Sequence, residues 1–339
     1  MRPPKRQGNI IKIAWLTCPE NPVPPTAYGG AELCTDIWVR RLMELHHEVD
    51  LYAGPGSTCP ASRVFEAPTN RMSDEPALLQ MLFKGQQGEN GYDVVIDYSA
   101  MHLAGQTFKN VVSIMGGDPY RKYPHQNVRN KVYISRSFAE FWHAPTAPVI
   151  HNPAQYSKGD ALLSIVTMYP PHALYVGVIH PMKGLEIAVH ACKQLGMPLH
   201  VYGPIRNEAY WKAVQEIGGV HYCGMLERDP IRRDEVFGRA GVFLHPTQVC
   251  DAYPIAPREA ALRGTPVVAC PLGGIREFIQ PHFNGQFAQT VPEYVDAITE
   301  VLSYSRLLVR DTSLAQEDSR QSAEMLSELC VRVENGGAW

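Results

Sequence analysis

Short runs of β-branched and apolar residues alternate along this chain with longer stretches of helical periodicity, and that alternation is the strongest constraint on its fold. Residues 11–17 (IKIAWLT) read as a first strand, apolar enough to be buried on both faces. A Pro- and Gly-rich loop follows to Gly30, then a helix over 31–46 with Leu33, Ile37, Leu42 and Leu45 at helical spacing. Residues 48–53, 92–96, 110–114 and 131–135 read as further strands, and 76–84 as a helix. After an irregular stretch over 151–172 a second set begins. Strands are expected at 173–177, 198–202, 241–245 and 266–270, and helices at 185–195, 234–239, 257–263 and 292–302. Beyond Asp311 the chain is polar, with Leu314, Met325, Leu326 and Leu329 as sparse anchors of a terminal helix that frays at 335–337. Alternating β and α elements predict mostly parallel sheets covered by helices. The expected class is therefore α/β, with two doubly wound Rossmann-like domains facing across a cleft.

At ~150 residues per domain, 339 residues suit two domains. The boundaries are expected at 1–152, 153–310 and 311–339, the last a terminal helix packing back on the N-terminal domain. Net charge is −3, so no global basic field exists to hold a nucleic-acid backbone. No run approaches the ~20 apolar residues of a membrane span. The basic residues 1–9 precede a strand-sized run and read as a tail rather than a secretion signal. The eight cysteines include no C-x-x-C pair and no zinc spacing, which suits reduced thiols in the cytoplasm.

In doubly wound sheets, ligands bind beyond the carboxyl ends of the strands. Three loops there carry chemistry. In YGGAE (28–32), Gly29 and Gly30 open a helix whose free N–H groups suit a phosphate, although a tight strand-to-helix turn needs glycine equally. In GVIHPMKG (177–184), Lys183 sits at a helix start, where a cation opposes the helix dipole. It is placed to hold a diphosphate, or it is simply solvated. In DAYPIAPRE (251–259), Asp251 and Glu259 stand eight residues apart, one in a loop and one in the following helix. A carboxylate there can accept two hydrogen bonds from vicinal hydroxyls. An acid pair at fixed spacing is by itself a weak signal.

Together, in order, these segments resemble retaining glycosyltransferases of the GT-B fold, the family 4 group (glycosyl transferases group 1). YGGAE is similar to that family's N-terminal glycine loop, 177–184 to its G-R-x-x-x-x-K-G segment, and 251–259 to its E-x7-E motif with Asp in first place. TPVVA (265–269), GGIRE (273–277) and FNG (283–285) match the segments that follow, and YISRS (133–137) and VIHN (149–152) match before the interdomain linker. The resemblance implies transfer of a sugar from a nucleoside-diphosphate donor with retention, without metal or cofactor. The donor's base stays open. It implies that the C-terminal domain binds the donor and the N-terminal domain the acceptor, a small molecule, glycan or lipid-linked species. By it, Glu259 bonds the ribose hydroxyls, Asp251 the donor sugar, and the N–H groups of Tyr253, Ile255 and Ala256 the sugar or phosphates. Lys183 neutralises the leaving diphosphate, and Gly29 and Gly30 close on the phosphates.

Four departures mark the chain. Val178 stands where the family often has Arg, with His180 or Arg206 as stand-ins. Met115, in SIMGG (113–117), stands where many members have a sugar-contacting His; Asp118 or His102 is placed to take that role, with Gly117 beside them. A Met after a strand is usually core, and His102 is as often structural. Pro254 removes a backbone donor. Asp251 is one methylene shorter than Glu. The alternative is a catalytically degenerate protein that binds a sugar nucleotide or partners an active transferase. A Rossmann oxidoreductase would need a fuller glycine fingerprint, and an epimerase catalytic acids that are not visible.

Overall fold

Strand β1 (Lys12–Thr17) is buried at every position, as a strand in the middle of a parallel sheet covered on both faces must be. A computed structural model describes residues 10–87, 91–117, 127–156 and 171–339. The chain forms two compact units, Met1–Pro153 with Ser319–Trp339, and Ala154–Asp318.

In the first unit β1 is followed by α1 (Gly30–Glu44), β2 (Glu48–Ala53), β3 (Arg63–Glu66), α2 (Glu75–Gln87), β4 (Val94–Tyr98), α3 (Leu103–Thr107), β5 (Val111–Met115), β6 (Lys131–Tyr133) and α4 (Arg136–Phe141). The sheet order is β3-β2-β1-β4-β5-β6, with every pairing parallel. The chain starts in the centre, works out to one edge, then returns to lay β4 on the other flank of β1. Helix α1 turns Leu33, Cys34, Trp38, Val39 and Leu42 inward. The Trp38 ring lies 6.0 Å from Trp15 and 5.8 Å from Tyr98, which fixes the helix on the sheet.

The second unit repeats this winding with β7 (Ala173–Val176), α5 (Leu185–Gln194), β8 (Leu199–Tyr202), α6 (Glu208–Ile217), β9 (Val220–Tyr222), α7 (Pro230–Arg239), β10 (Val242–His245), α8 (Ala256–Ala261), β11 (Val267–Ala269), β12 (Gly285–Phe287), α9 (Val291–Val301) and α10 (Arg306–Leu314). Its order is β12-β11-β10-β7-β8-β9, again all parallel. Strands β7 and β10 are thus neighbours at the point where the order reverses, where such sheets hold ligands. Helix starts are written in the sequence: Asn207 caps α6, Asp229 caps α7 ahead of Pro230, and Thr290 with Glu293 forms a capping box on α9. Helix α11 (Ser319–Glu334) then returns to the first unit, burying Ser322, Ala323, Leu326, Cys330 and Val333.

The expected strands and long helices are present, within a few residues at their ends. Strands β3, β9 and β12 and helices α3, α4 and α6 were not expected. β3 and β9 are largely exposed edge strands, so they carry no apolar run, and α6 buries only Trp211 and Val214. The polar stretch beyond Asp311 is not one helix: α10 belongs to the second unit and α11 to the first. Met325, expected as an anchor, is 42% exposed, and Leu326 and Cys330 fill that role.

The amino edge of the second sheet carries three histidines. His172 stacks on His200 at 4.3 Å, and His200 meets His221 at 5.7 Å. Burial, then the neighbouring His200, pushes the His172 pKa down to about 4, and burial with His221 lowers His200. The unfolded histidine takes its proton near 6.5, whereas the folded one resists until about 4. Stability is therefore lost as pH falls through that window, because the unfolded state binds more protons. His172→Phe, which keeps a flat ring on His200, should lose less stability than wild type between pH 7 and about pH 4.5. The expected difference is about 1–3 kcal/mol in urea unfolding.

Candidate functional site

Pairing of β7 with β10 brings the loops that follow them out of the sheet side by side. Lys183 ends a single 3-10 turn, Pro181–Lys183, whose first free N–H, that of Met182, is taken by His180 Nδ1 at 3.3 Å. Gly184 follows at φ 63°, and a Cβ there would lie 2.2 Å from the Pro246 carbonyl oxygen. The two loops thus touch backbone to backbone, and Gln248 N–H donates to the Met182 carbonyl at 2.9 Å. The loop after β11 closes on the other side. Gly273, at φ 78°, would place a Cβ 2.0 Å from the Asp251 carbonyl oxygen, which accepts the Gly274 N–H at 2.9 Å. Only glycine fits at these two contacts.

Within this frame Lys183 Nζ donates to Asp251 Oδ2 at 2.6 Å, with side chains 29% and 21% exposed. Asp251 Oδ1 carries no hydrogen bond among the described residues. Burial alone would raise the Asp251 pKa, but the Lys183 ammonium and then His245 hold it below the ordinary carboxylate value. His245, the last residue of β10, is 8% exposed, with Nε2 3.7 Å from Asp251 Oδ2. That nitrogen has no hydrogen-bond partner among the described residues. Burial pushes the His245 pKa down to about 4, Asp251 opposing and Lys183 adding, so the ring is neutral at pH 7.

Glu259 lies in α8 and is 1% exposed. Arg233 of α7 grips both its oxygens, Nε on Oε1 at 3.2 Å and Nη2 on Oε2, and Arg228 Nη1 stands 3.5 Å from Oε1. Burial would raise the Glu259 pKa; Arg233, Arg228 and Arg263 hold it below the ordinary value. The same helix is anchored by Arg258, which donates to Glu317 Oε2 and covers the Tyr253 ring at 4.3 Å. Tyr253 is accordingly buried at 4% exposure, while Ile255 and Ala256 are half-buried at the helix start, where N–H groups lack helical acceptors. Among the proposed stand-ins for the missing cation at Val178, His180 is engaged as a cap. Arg206 is exposed on a loop whose backbone bonds to Ile179.

The first-unit candidates divide. Gly29 caps α1 at φ 155°, with Pro25 and the buried Glu32 carboxylate packed over it. His102 is 1% exposed in a left-handed conformation, its Nδ1 3.7 Å from Asp97 Oδ1. Asp97 accepts from Ser99 Oγ at 2.6 Å and Gly105 N–H at 2.7 Å, and Glu75 accepts from Ser99 Oγ at 2.8 Å. Ser99 links the Asp97 and Glu75 carboxylates and so ties the loop after β4 to α2, with His102 buried beside them. Met115 is 2% exposed, a core side chain rather than a lining one, while Gly117 is exposed, with no atom of the described residues within 4 Å of where a Cβ would sit. Asp118, and most of 120–130, lie outside the described residues.

Sequence reasoning paired Lys183 and Asp251 with one loop region each, and the structure brings them together. It missed His245 and the arginines on Glu259. The available signals were a histidine one residue before Pro246 at a strand end, and the run ERDPIRRDE over 227–235. Glu259→Ala removes the counter-charge of a buried guanidinium. It should destabilise the second unit by about 3–5 kcal/mol in urea unfolding, beyond any loss of ligand.

Residues 170–304 match the family model described as glycosyl transferases group 1. No curated protein sequence matches the chain significantly. Among solved structures, a glycosyltransferase involved in avilamycin A biosynthesis superposes with TM-score 0.76 at 22% identity, covering 97% of this chain and 99% of that one. HepE of Anabaena, in complex with UDP and glucose, gives 0.70 at 15% identity, covering 94% and 98%. Sucrose-phosphate synthase of Thermosynechococcus elongatus gives 0.70 at 16%, covering 96% and 98%. Two parallel, doubly wound sheets with this likeness define the GT-B fold, and the matched segment holds both Lys183 and Asp251. The chain therefore has the GT-B fold, and within its second unit residues 170–304 match the glycosyl transferases group 1 family.

Proposed function

We propose that this protein is a retaining, metal-independent glycosyltransferase that moves a sugar from a nucleoside-diphosphate sugar to an acceptor hydroxyl. The observation that carries this reading is the Lys183–Asp251 pair at the carboxyl ends of β7 and β10. Lys183 supplies the cation that a departing diphosphate needs, which is the role a metal would otherwise fill. Asp251 supplies an acceptor, Oδ1, for a hydroxyl of the donor sugar. The bond between the anomeric carbon and the phosphate oxygen breaks, and the acceptor oxygen bonds to that carbon on the same face. The acceptor proton passes to the leaving phosphate, so no strong protein base is required. On this reading Glu259 stays ionised, and a ribose hydroxyl reaches it by displacing one of the arginines that hold it. The complexes of HepE with UDP support a nucleoside diphosphate as the kind of ligand bound.

The first unit holds the acceptor on this reading, a small molecule, glycan or lipid-linked species, and nucleic acid is not a partner. No described helix is long and apolar enough to cross a membrane. All eight cysteines are free, which supports a reducing, cytoplasmic setting. The close Lys183–Asp251 contact also favours a second reading, a binder of sugar nucleotides whose cation is locked away from its ligand.

One screen separates the two. UDP, GDP, ADP, dTDP and CDP at ~100 times their dissociation constant would each add about 2.7 kcal/mol of stability, seen as a thermal shift. Binding of one nucleotide followed by acceptor-dependent turnover of its sugar conjugate supports the transferase; binding without turnover supports the degenerate binder. Lys183→Ala should slow transfer by about 10²–10³-fold while weakening nucleotide binding far less. Equal losses in both would confine Lys183 to ground-state binding.

A further inference from the structure

We infer that His245 is a positioning residue of the donor site: when a diphosphate draws Lys183 away from Asp251, the His245 Nε2–H takes its place on Asp251 Oδ2. This rests on the donor-site reading above. Lys183 Nζ now lies on Oδ2 at 2.6 Å, so the cation assigned to the diphosphate is held by the acid assigned to the sugar. Lys183 cannot serve both at full strength. Once it moves, a largely buried carboxylate oxygen is left without a donor, which is costly. His245 Nε2 is 3.7 Å from that same oxygen, on the rigid end of β10, and has no other partner among the described residues. Closing to ~3 Å makes an ordinary hydrogen bond and breaks none.

The neutral ring suits this exchange. A second permanent cation on Asp251 would quench the negative charge that the sugar hydroxyl needs at Oδ1. A neutral N–H donor steadies Oδ2 and leaves that charge in place. It also gives a partner to a buried polar nitrogen that has none among the described residues.

A double-mutant cycle on nucleotide affinity tests the exchange, with UDP, GDP and ADP as probes. His245→Phe keeps an aromatic ring but no donor, and should weaken binding of the recognised nucleotide about tenfold to hundredfold, the range of one hydrogen bond to a charged group. In an Asp251→Asn background no buried anion needs the donor, so the same substitution should cost under about threefold. His245→Gln, which restores an N–H, should recover most of the affinity. An equal cost in both backgrounds, or no cost in either, overturns the proposal and leaves His245 as packing. If His245→Phe does not fold, the ¹⁵N resonance of His245 Nε2 in wild type decides. It should move to a hydrogen-bonded position on nucleotide addition, and an unchanged resonance overturns the exchange. Absence of binding by every nucleotide in wild type overturns the donor-site reading itself, and the exchange with it.

Discussion

Backbone contact without intervening side chains is the constraint on which the site depends. Gly184 lies against Pro246 and Gly273 against Asp251, so the loops after β7, β10 and β11 form one body. That contact brings Lys183 and Asp251, 68 residues apart, within reach of one another, and their side chains then meet at 2.6 Å. A part-exposed ion pair alone would contribute about 1 kcal/mol or less. The frame can therefore stay fixed while the side chains on it change partners.

Beneath the frame, α8 is placed by charge as much as by apolar packing. Glu259 is gripped by Arg233, and Arg258 reaches Glu317, all at 8% exposure or less. Buried pairs like these add little net stability over apolar replacements, yet breaking one leaves an uncompensated charge. Each helix neighbour of α8 thus has one geometry in which its charges are met. That specificity keeps the loop preceding α8, with Asp251 at its start, in register with β10.

The central strands and the covering helices were legible because burial on both faces forces continuous apolar runs, as in residues 11–17 and 266–270. Edge strands β3 and β9 were not, because exposure removes that pressure. Lys183 and Asp251 could be found because each follows its own strand at the sheet's switch point. The partners of Glu259 could not: Arg233 lies 26 residues away, and only the packing of α7 on α8 brings them together. Burial of Met115 and the enclosure of His102 by Asp97 were likewise invisible, since one sequence does not show which way a residue after a strand turns.

Helix α11 belongs to the first unit although the whole second unit precedes it. Trp38 reaches Ser322 across 284 residues, Nε1 donating to Oγ at 3.0 Å, and His47 Nε2 meets Ser327 Oγ at 2.7 Å. During synthesis the first unit cannot be finished until that last helix emerges, and its Trp38 face waits uncovered. Closing so long a loop would carry an entropy cost that grows as ~(3/2)RT ln n. The folded second unit removes most of it. Its two ends meet where Ala154 N–H donates to Glu317 Oε1 at 2.8 Å, so the intervening residues behave as a short connection. A folded second unit thus acts as a clasp that favours completion of the first, although the second unit comes later along the chain.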